Sequence, residues 1–454
     1  MKLNKIIFKE YDIRGKYPEE LSPEAAYRIV TAFFIAKKIK RLIVARDLRP
    51  ESKWVLLQIK KAAAASGVVV ADLGTQSTPA LFFALGGGCY DAGIMITASH
   101  SPKGIAGLKF CLRDGRAVSG LELKRLVGKL SDKKVGQKKK LSVRGAVAKN
   151  NPLAGYAKFA LSFINKKKLK KCKIIMDASG GSGAQLAQTV FGSLPVQVVK
   201  MNFLAGDRYP DHGLNPLLLE NQKSIISEVK KRGADLGVIF DGDADRAVLI
   251  DEIGQPANPY HLNCLLCRIA LEKLKIKKIA IDGRLELGIK ETIARGGGRA
   301  VVCRSGWANF VDLMVQERIA FGCENSGHFF VNLSLKQKKN YAYGDAIIPI
   351  LLLLEYLAEN DLSLAEALRE YRQKYHLSGE INLTGIDFRK AAAKVAAKFR
   401  RYQQNKRDGL SVSGPDWFIN LRPSHTEPLV RLNIEAKSKA VLRKLKKELL
   451  MLAR

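Results

Sequence analysis

Short apolar runs alternate with amphipathic stretches through most of the chain. RLIVARD (41–47) leads to WVLLQIKKAAAASG, then to VVVADLG (68–74), then to AGIMIT (92–97). Apolar runs bounded by turn residues read as strands, and the longer stretches between them as helices, so the order predicts βαβ units around a mostly parallel sheet. The pattern restarts twice. KKCKIIMDASGGSG (170–183) reads as a strand into a glycine-rich turn, followed by the helix-like AQLAQTVFGSL and the strand PVQVVKM. After the amphipathic HLNCLLCRIALEKLK, a third unit opens at KKIAIDG (277–283) and continues through GGRAVVCRSG (297–306). The end of the chain differs: a helix over AAAKVAAKFRRYQQ (391–404), short strands at LSVSG, WFINLRP and LVRLNIEA, and a final helix from about Ala440. That order is the α+β pattern of a smaller, separate domain.

At 454 residues the chain exceeds what one core can serve, since domains run to about 100–200 residues. Lysine-rich sequence near 133–150 and the stretch around 369–380 mark boundaries. The expected division is 1–149, 150–253, 254–369 and 370–454, three similar mixed α/β domains and a C-terminal α+β domain. AIIPILLLLEYLA (346–358) is shorter than the ~20 residues a bilayer span needs and contains Pro349 and Glu355. MKLNKIIFKEYDIRG has no apolar core of signal-peptide length, so no membrane partner is expected and a cytoplasmic protein is the default reading.

Seven cysteines are too scattered for a disulfide framework. Cys264 and Cys267 have CxxC spacing, but their amphipathic helical surroundings, without a second CxxC, point to a core helix rather than a metal site. The formal charge of +34, from 77 basic against 43 acidic residues, gathers in runs such as KKIKR (37–41), KKKLKKCK (166–173), KKR (230–232) and LRKLKKELL (442–450). Aromatic residues do not interleave these runs. They therefore suit non-specific attraction of phosphates better than specific nucleic-acid binding.

Four stretches carry candidate chemistry. In LGVIFDGDADRAVLIDE (236–252), Asp241, Asp243 and Asp245 alternate, so a turning backbone can aim three hard oxygen ligands at one Mg²⁺. An EF-hand loop shares the spacing through Glu252, but it needs glycine where this chain has Arg246. A haloacid-dehalogenase-type strand ending in DxD is a lesser competitor, because Asp245 stands where that pattern has Thr or Val. GCENSGHFF (322–330) places Glu324, Ser326 and His328 at alternating positions, a set suited to the vicinal hydroxyls of a sugar or to a polar hairpin. RPSHTEPLVR (422–431) offers Arg422, Ser424, His425, Thr426 and Arg431, groups that bind a phosphate dianion or form an exposed turn. In TASHSPKGIAGLKF (97–110), Ser99 read locally is a nucleophile or a turn serine.

Together these stretches resemble the α-D-phosphohexomutase family, in its bacterial phosphomannomutase/phosphoglucomutase branch. The resemblance spans essentially the whole chain through YDIRG (11–15), TASHSP (97–102), DGDADR (241–246), GCENSGH (322–328) and RPSHTEP (422–428). It implies four domains around a central active-site cleft. It also implies a reaction interconverting hexose 1- and 6-phosphates through phosphorylated Ser99 and a hexose 1,6-bisphosphate. By this resemblance Asp241, Asp243, Asp245 and the Ser99 phosphate hold Mg²⁺, and Tyr11, Arg14, His100 and Lys109 surround the nucleophile, with Lys109 a candidate proton shuttle. Arg246 steadies the phosphoserine region, and His328 is a candidate acid or base. Glu324 and Ser326 read the sugar O3 and O4, while Arg422, Ser424, His425, Thr426 and Arg431 clamp the phosphate that is not transferred.

The chain departs from the family pattern at Ser101, where Asn is usual, at Ala106 of the pair Ala106-Gly107, and at His425. Trp307 and Arg284 stand where relatives carry His and Lys, which places both on the sugar side and makes sugar preference an open matter. The alternatives are a Mg-dependent sugar-phosphate phosphohydrolase, a phosphoglucosamine mutase, and a basic nucleic-acid-binding protein without activity. A monomer or weak dimer acting on hexose phosphates is expected.

Overall fold

The computed structural model describes residues 3–130, 151–203, 210, 212–424 and 429–453. The expected linker at 133–150 and the site candidates His425 and Thr426 lie outside them.

The chain folds around four sheets, and the first three repeat one plan. Their centres are parallel: Val69–Thr75, Arg41–Arg46 and Ala92–Ile96 in the first; Val196–Met201, Cys172–Asp177 and Leu236–Phe240 in the second; Arg299–Cys303, Lys278–Asp282 and Phe321–Cys323 in the third. In each, the last parallel strand turns straight back into an antiparallel neighbour: Ile105–Leu112, Ala247–Asp251 and Phe329–Asn332. The fourth sheet is wholly antiparallel, and its strand Trp417–Pro423 likewise turns back into Leu429–Ala436. The motif-bearing loops at 97–104, 241–246 and 324–328 all occupy this one topological position, and in the fourth sheet Arg422 and Arg431 lie on the two strands of the corresponding pair. An antiparallel return needs only a short turn. Each of the first three sheets thereby presents one loop at the same kind of edge.

Helices cover the sheets with their apolar faces. Pro23–Lys37 begins at Ser22, whose side chain accepts from Ala25 N, with Pro23 preset for the first turn. The CxxC pair lies in the helix Pro259–Leu274, and both cysteines are buried, Cys267 Sγ standing 3.6 Å from Cys323 Sγ. All seven cysteines are free thiols, and the core-helix reading of Cys264 and Cys267 holds. The leucine-rich stretch forms the buried helix Ile347–Asn360. No helix of the described residues is long and apolar enough to cross a membrane.

The helix expected over 391–404 is shorter and earlier, Phe388–Lys398. It stops because Gln404 Nε2 returns to cap the Ala396 and Phe399 carbonyls at 2.9 and 3.1 Å, which lets Gln403–Asn405 pair as an edge strand with Leu410–Ser413. Tyr402, packed on Phe399 and Trp417, holds that reversal.

Candidate active site

The loop after Ala92–Ile96 is built to present Ser99 in an unusual backbone conformation. Ser99 has φ +52°, a left-handed value that costs a non-glycine residue about 1–2 kcal/mol. Local bonds stabilise it: Ser99 N donates to Thr97 Oγ1 at 2.8 Å and Ser101 N to Ala98 O at 3.0 Å. Arg49 does more. Its fork donates to the carbonyls of Ser99 (2.8 Å), Ser101 (2.6 Å), Pro102 (2.9 Å) and Ile105 (3.2 Å). Gly107 is required by close approach, since a Cβ there would lie 2.4 Å from Thr97 O.

This backbone puts Ser99 Oγ, fully buried, 2.6 Å from Asp241 Oδ2 and 3.2 Å from His100 Nδ1. The contact joins the first sheet's loop to the second's, and Gly242 permits it: a Cβ at that position would sit 2.8 Å from Ser99 O.

Asp241, Asp243 and Asp245 are all buried, and each offers an oxygen within 4.8 Å of the others. Lys109 Nζ lies 2.7 Å from Asp243 Oδ2 and 2.5 Å from Asp245 Oδ2, and Arg246 Nε 3.8 Å from Asp241 Oδ2. Burial followed by the neighbouring carboxylates pushes Asp241 up to about 7. Burial alone would also raise Asp245, but Lys109 and His328 outweigh it and hold that carboxyl well below its usual range. Lys109 goes the other way: burial opposes its charge, yet the three aspartates raise its pKa and keep it an ammonium. Asp243 Oδ1 is buried with no hydrogen-bond partner among the described residues. A clustered carboxylate set with one orphaned oxygen suits a hard divalent cation, so these residues fit Mg²⁺.

The loop of the third sheet meets the aspartates directly. Ala247 N donates to Gly327 O at 3.2 Å, and Gly327 turns with φ +76°. His328 Nδ1 lies 2.7 Å from Glu324 Oε2, which also accepts from Ser326 Oγ at 2.7 Å. On its other side, His328 Nε2 faces Arg246 Nε at 2.8 Å, which can only donate, and Asp245 Oδ1 at 3.2 Å, which can only accept. The Nε2 proton is therefore contested. Burial and Arg246 disfavour the imidazolium, but Asp245 and Glu324 prevail and raise the pKa. His100 lies nearer cations: Arg246 first, then burial, Arg14 and His328 hold its pKa well below the usual value, leaving a neutral imidazole.

These groups surround a cavity of about 530 Å³. Tyr11, Arg14, His100, Arg246, Trp307, Glu324, Ser326, His328, Arg422 and Arg431 line it, so the structure brings these expected residues together. Ser99 lies fully buried beside His100. Lys109 is buried with the aspartates rather than at the wall. Arg284 is locked to Asp282, with Nε 2.7 Å from Oδ2, and stands 3.5 Å behind Glu324 Oε1. Trp307 is nearly buried, its ring stacked on Phe82 at 6.0 Å, and it ties the third sheet's segment to the first's. Ser101 is not idle: its hydroxyl accepts from Arg14 Nη1 at 3.1 Å, while Arg14 also pairs with Asp12 at 2.8 Å. Ser424 N donates to Leu429 O at 2.8 Å, closing the fourth loop's base.

Two functional neighbours escaped the sequence. Thr78 Oγ1 donates to Asp243 Oδ2 at 2.6 Å, and Arg49 braces the serine loop; each precedes or meets a proline at a helix start and reads locally as nothing more.

All four sheets thus contribute side chains to one cleft lined with guanidinium, imidazole, hydroxyl and carboxylate groups. Models of the phosphoglucomutase/phosphomannomutase domains match in order: α/β/α domain I over 5–134, domain II over 154–254, domain III over 258–375 and the C-terminal domain over 386–451. The chain belongs to the phosphoglucomutase/phosphomannomutase family. It is 33% identical to a phosphomannomutase of Escherichia coli (strain K12), over 95% of this chain and 94% of that one. It is 31% identical to a phosphohexose mutase of Xanthomonas campestris, over 96% of each. Among solved structures, a phosphoglucomutase/phosphomannomutase family protein from Burkholderia thailandensis superposes with a TM-score of 0.86 at 26% identity, covering 99% of this chain and 97% of its own.

Proposed function

We propose that this protein is a Mg²⁺-dependent phosphohexomutase that interconverts the 1- and 6-phosphates of mannose, glucose or both through phosphorylated Ser99. The observation that carries this is Ser99 Oγ, 2.6 Å from Asp241 within an acidic triad whose other side meets the loop of Glu324, Ser326 and His328. A nucleophile, a cation site and a polyol-binding edge converge there, as phosphoryl transfer between a protein and a sugar requires. Mg²⁺ held by Asp241, Asp243 and Asp245 would neutralise charge on the transferring group.

The protein's own residues divide the remaining work. Arg49 and the left-handed backbone at Ser99 orient Oγ, and Asp241 and the neutral His100 stand at its proton. Lys109, kept an ammonium by the three aspartates, supplies fixed positive charge beside the reacting group rather than the proton shuttle expected of it. Glu324 and Ser326 hold sugar hydroxyls, and the contested proton at His328 Nε2 suits taking or returning a hydroxyl proton. Arg284, through Asp282 and Glu324, and Trp307 shape the sugar side. Arg14 and Tyr11 close the cleft near the nucleophile, and Arg246 spans the metal and sugar loops. Arg422, Ser424 and Arg431, with His425 and Thr426, bind the phosphate that is not transferred. A hexose 1,6-bisphosphate then turns within the cleft and presents its other phosphate to Ser99. We also assign the four domains to 1–149, 150–253, 254–369 and 370–454, the helix Leu364–Lys374 crossing the last boundary.

The test is product analysis by ³¹P NMR with Mg²⁺ and catalytic glucose 1,6-bisphosphate. Mannose 1-phosphate or glucose 1-phosphate should yield the 6-phosphate, and Ser99→Ala should abolish the conversion. Inorganic phosphate as the sole product would sink the proposal in favour of hydrolysis.

A further inference from the structure

Glu380 lies at the head of the strand Ile381–Thr384, just after Gly379 with φ +68°. That strand pairs with Leu429–Ala436, placing Asn382 opposite Arg431, and the next pairing places Arg422 opposite Arg431. The register brings one carboxylate onto two cavity-lining guanidinium groups. Glu380 Oε2 is 3.3 Å from Arg422 Nη2, and Oε1 is 3.3 Å from Arg431 Nη1. Arg422 is almost completely buried, and its Nε has no hydrogen-bond partner among the described residues, so Glu380 leaves the fork only partly satisfied.

We propose that Glu380 is a resident competitor: it occupies the forks of Arg422 and Arg431 between turnovers and is displaced by the phosphate of the sugar that is not being transferred. This rests on the reading of these arginines as the phosphate clamp. Carboxylate and phosphate offer the same paired anionic oxygens to a guanidinium fork, so one can stand in for the other. Both cannot stay, because two anions in contact with the same cations repel in a partly buried site. Displacement is inexpensive because the Glu380 side chain is 34% exposed and can turn to water beside a flexible glycine. A bisphosphate that must leave the clamp once per cycle gains from this arrangement. As the phosphate departs, Glu380 returns to the buried Arg422 and the partly buried Arg431, so the charge of Arg422 is met again.

Glu380→Gln keeps the shape and removes the charge. In calorimetric titration of the full chain with inorganic phosphate, it should bind on the order of tenfold more tightly, about 1.4 kcal/mol. KM for mannose 1-phosphate and kcat should both fall, because substrate is held harder and the intermediate turns more slowly. Glu380→Ala should move phosphate affinity in the same direction, which no loss of folding would do. Unchanged or weaker phosphate binding in both variants, with Arg422→Gln and Arg431→Gln also weakening it, would overturn the competitor and make Glu380 a brace. If the arginine variants leave phosphate affinity and KM unchanged, the clamp reading itself fails and the competitor with it.

Discussion

Thr78 Oγ1 donates to Asp243 Oδ2 at 2.6 Å, joining a helix start of the first domain to the acidic loop of the second across 165 residues. The same residue's N–H donates to Asp243 O at 3.0 Å, so Thr78 fixes both the backbone and the carboxylate of the central aspartate. A group that orients a ligand from behind typically matters 10–100-fold to metal affinity. Thr78→Val should therefore weaken Mg²⁺ binding about tenfold by direct calorimetric titration, and shift the Mg²⁺ dependence of activity in parallel. An unaltered binding isotherm would show that the triad does not need this donor.

Arg49 is almost fully buried, pairs with Asp47 at 3.2 Å and holds four loop carbonyls. Removing it takes the counter-ion from buried Asp47, whose pKa burial already raises despite Arg49 and which would keep only neutral donors such as Ser52, and releases a backbone held at positive φ. Arg49→Met should cost about 3–5 kcal/mol in the first domain's stability, read from thermal or denaturant unfolding. It should also slow phosphorylation of Ser99, followed by intact-mass spectrometry. Arg49→Lys should rescue little of either, because a single ammonium cannot reproduce the planar fork. Full rescue by lysine would mean that charge alone matters there.

Glu435 governs a pH dependence at the seam between the last two domains. It is fully buried and accepts from Leu287 N at 3.0 Å and Gly288 N at 2.8 Å, at the start of the helix Leu287–Arg295. Burial pushes its pKa up to about 8, the backbone donors only partly opposing it. A carboxyl whose pKa is higher folded than unfolded keeps its proton in the folded state while the unfolded state loses it. Stability from this group is thus highest below about 4.5, falls as pH rises toward about 8, and is level above. Glu435→Gln should flatten that slope in unfolding measured from pH 4 to pH 9. Parallel profiles for the two proteins would refute the assignment.

What the sequence determined by itself was whatever sits close along the chain. Asp241, Asp243 and Asp245 fall within one short turn, as do Glu324, Ser326 and His328, so spacing alone brought each set together. The alternation of apolar runs likewise disclosed three α/β units and a different C-terminal domain, because central parallel strands, buried on both faces, need continuous apolar runs while the helices between them need one apolar face. The helix ends at Lys398, short of its periodic pattern, because Gln404 caps it from beyond the helix, a side-chain bond that leaves no periodic trace. Tertiary structure alone decided which residues complete those sets. Thr78, Arg49 and Glu380 reach the acidic loop, the serine loop and the arginine pair across 165, 50 and 42 residues, respectively. Ser101, a departure when read in the sequence, proves to accept a bond from Arg14. Contacts of that range are set by how sheets and loops pack in space, and a single chain records them in no local pattern.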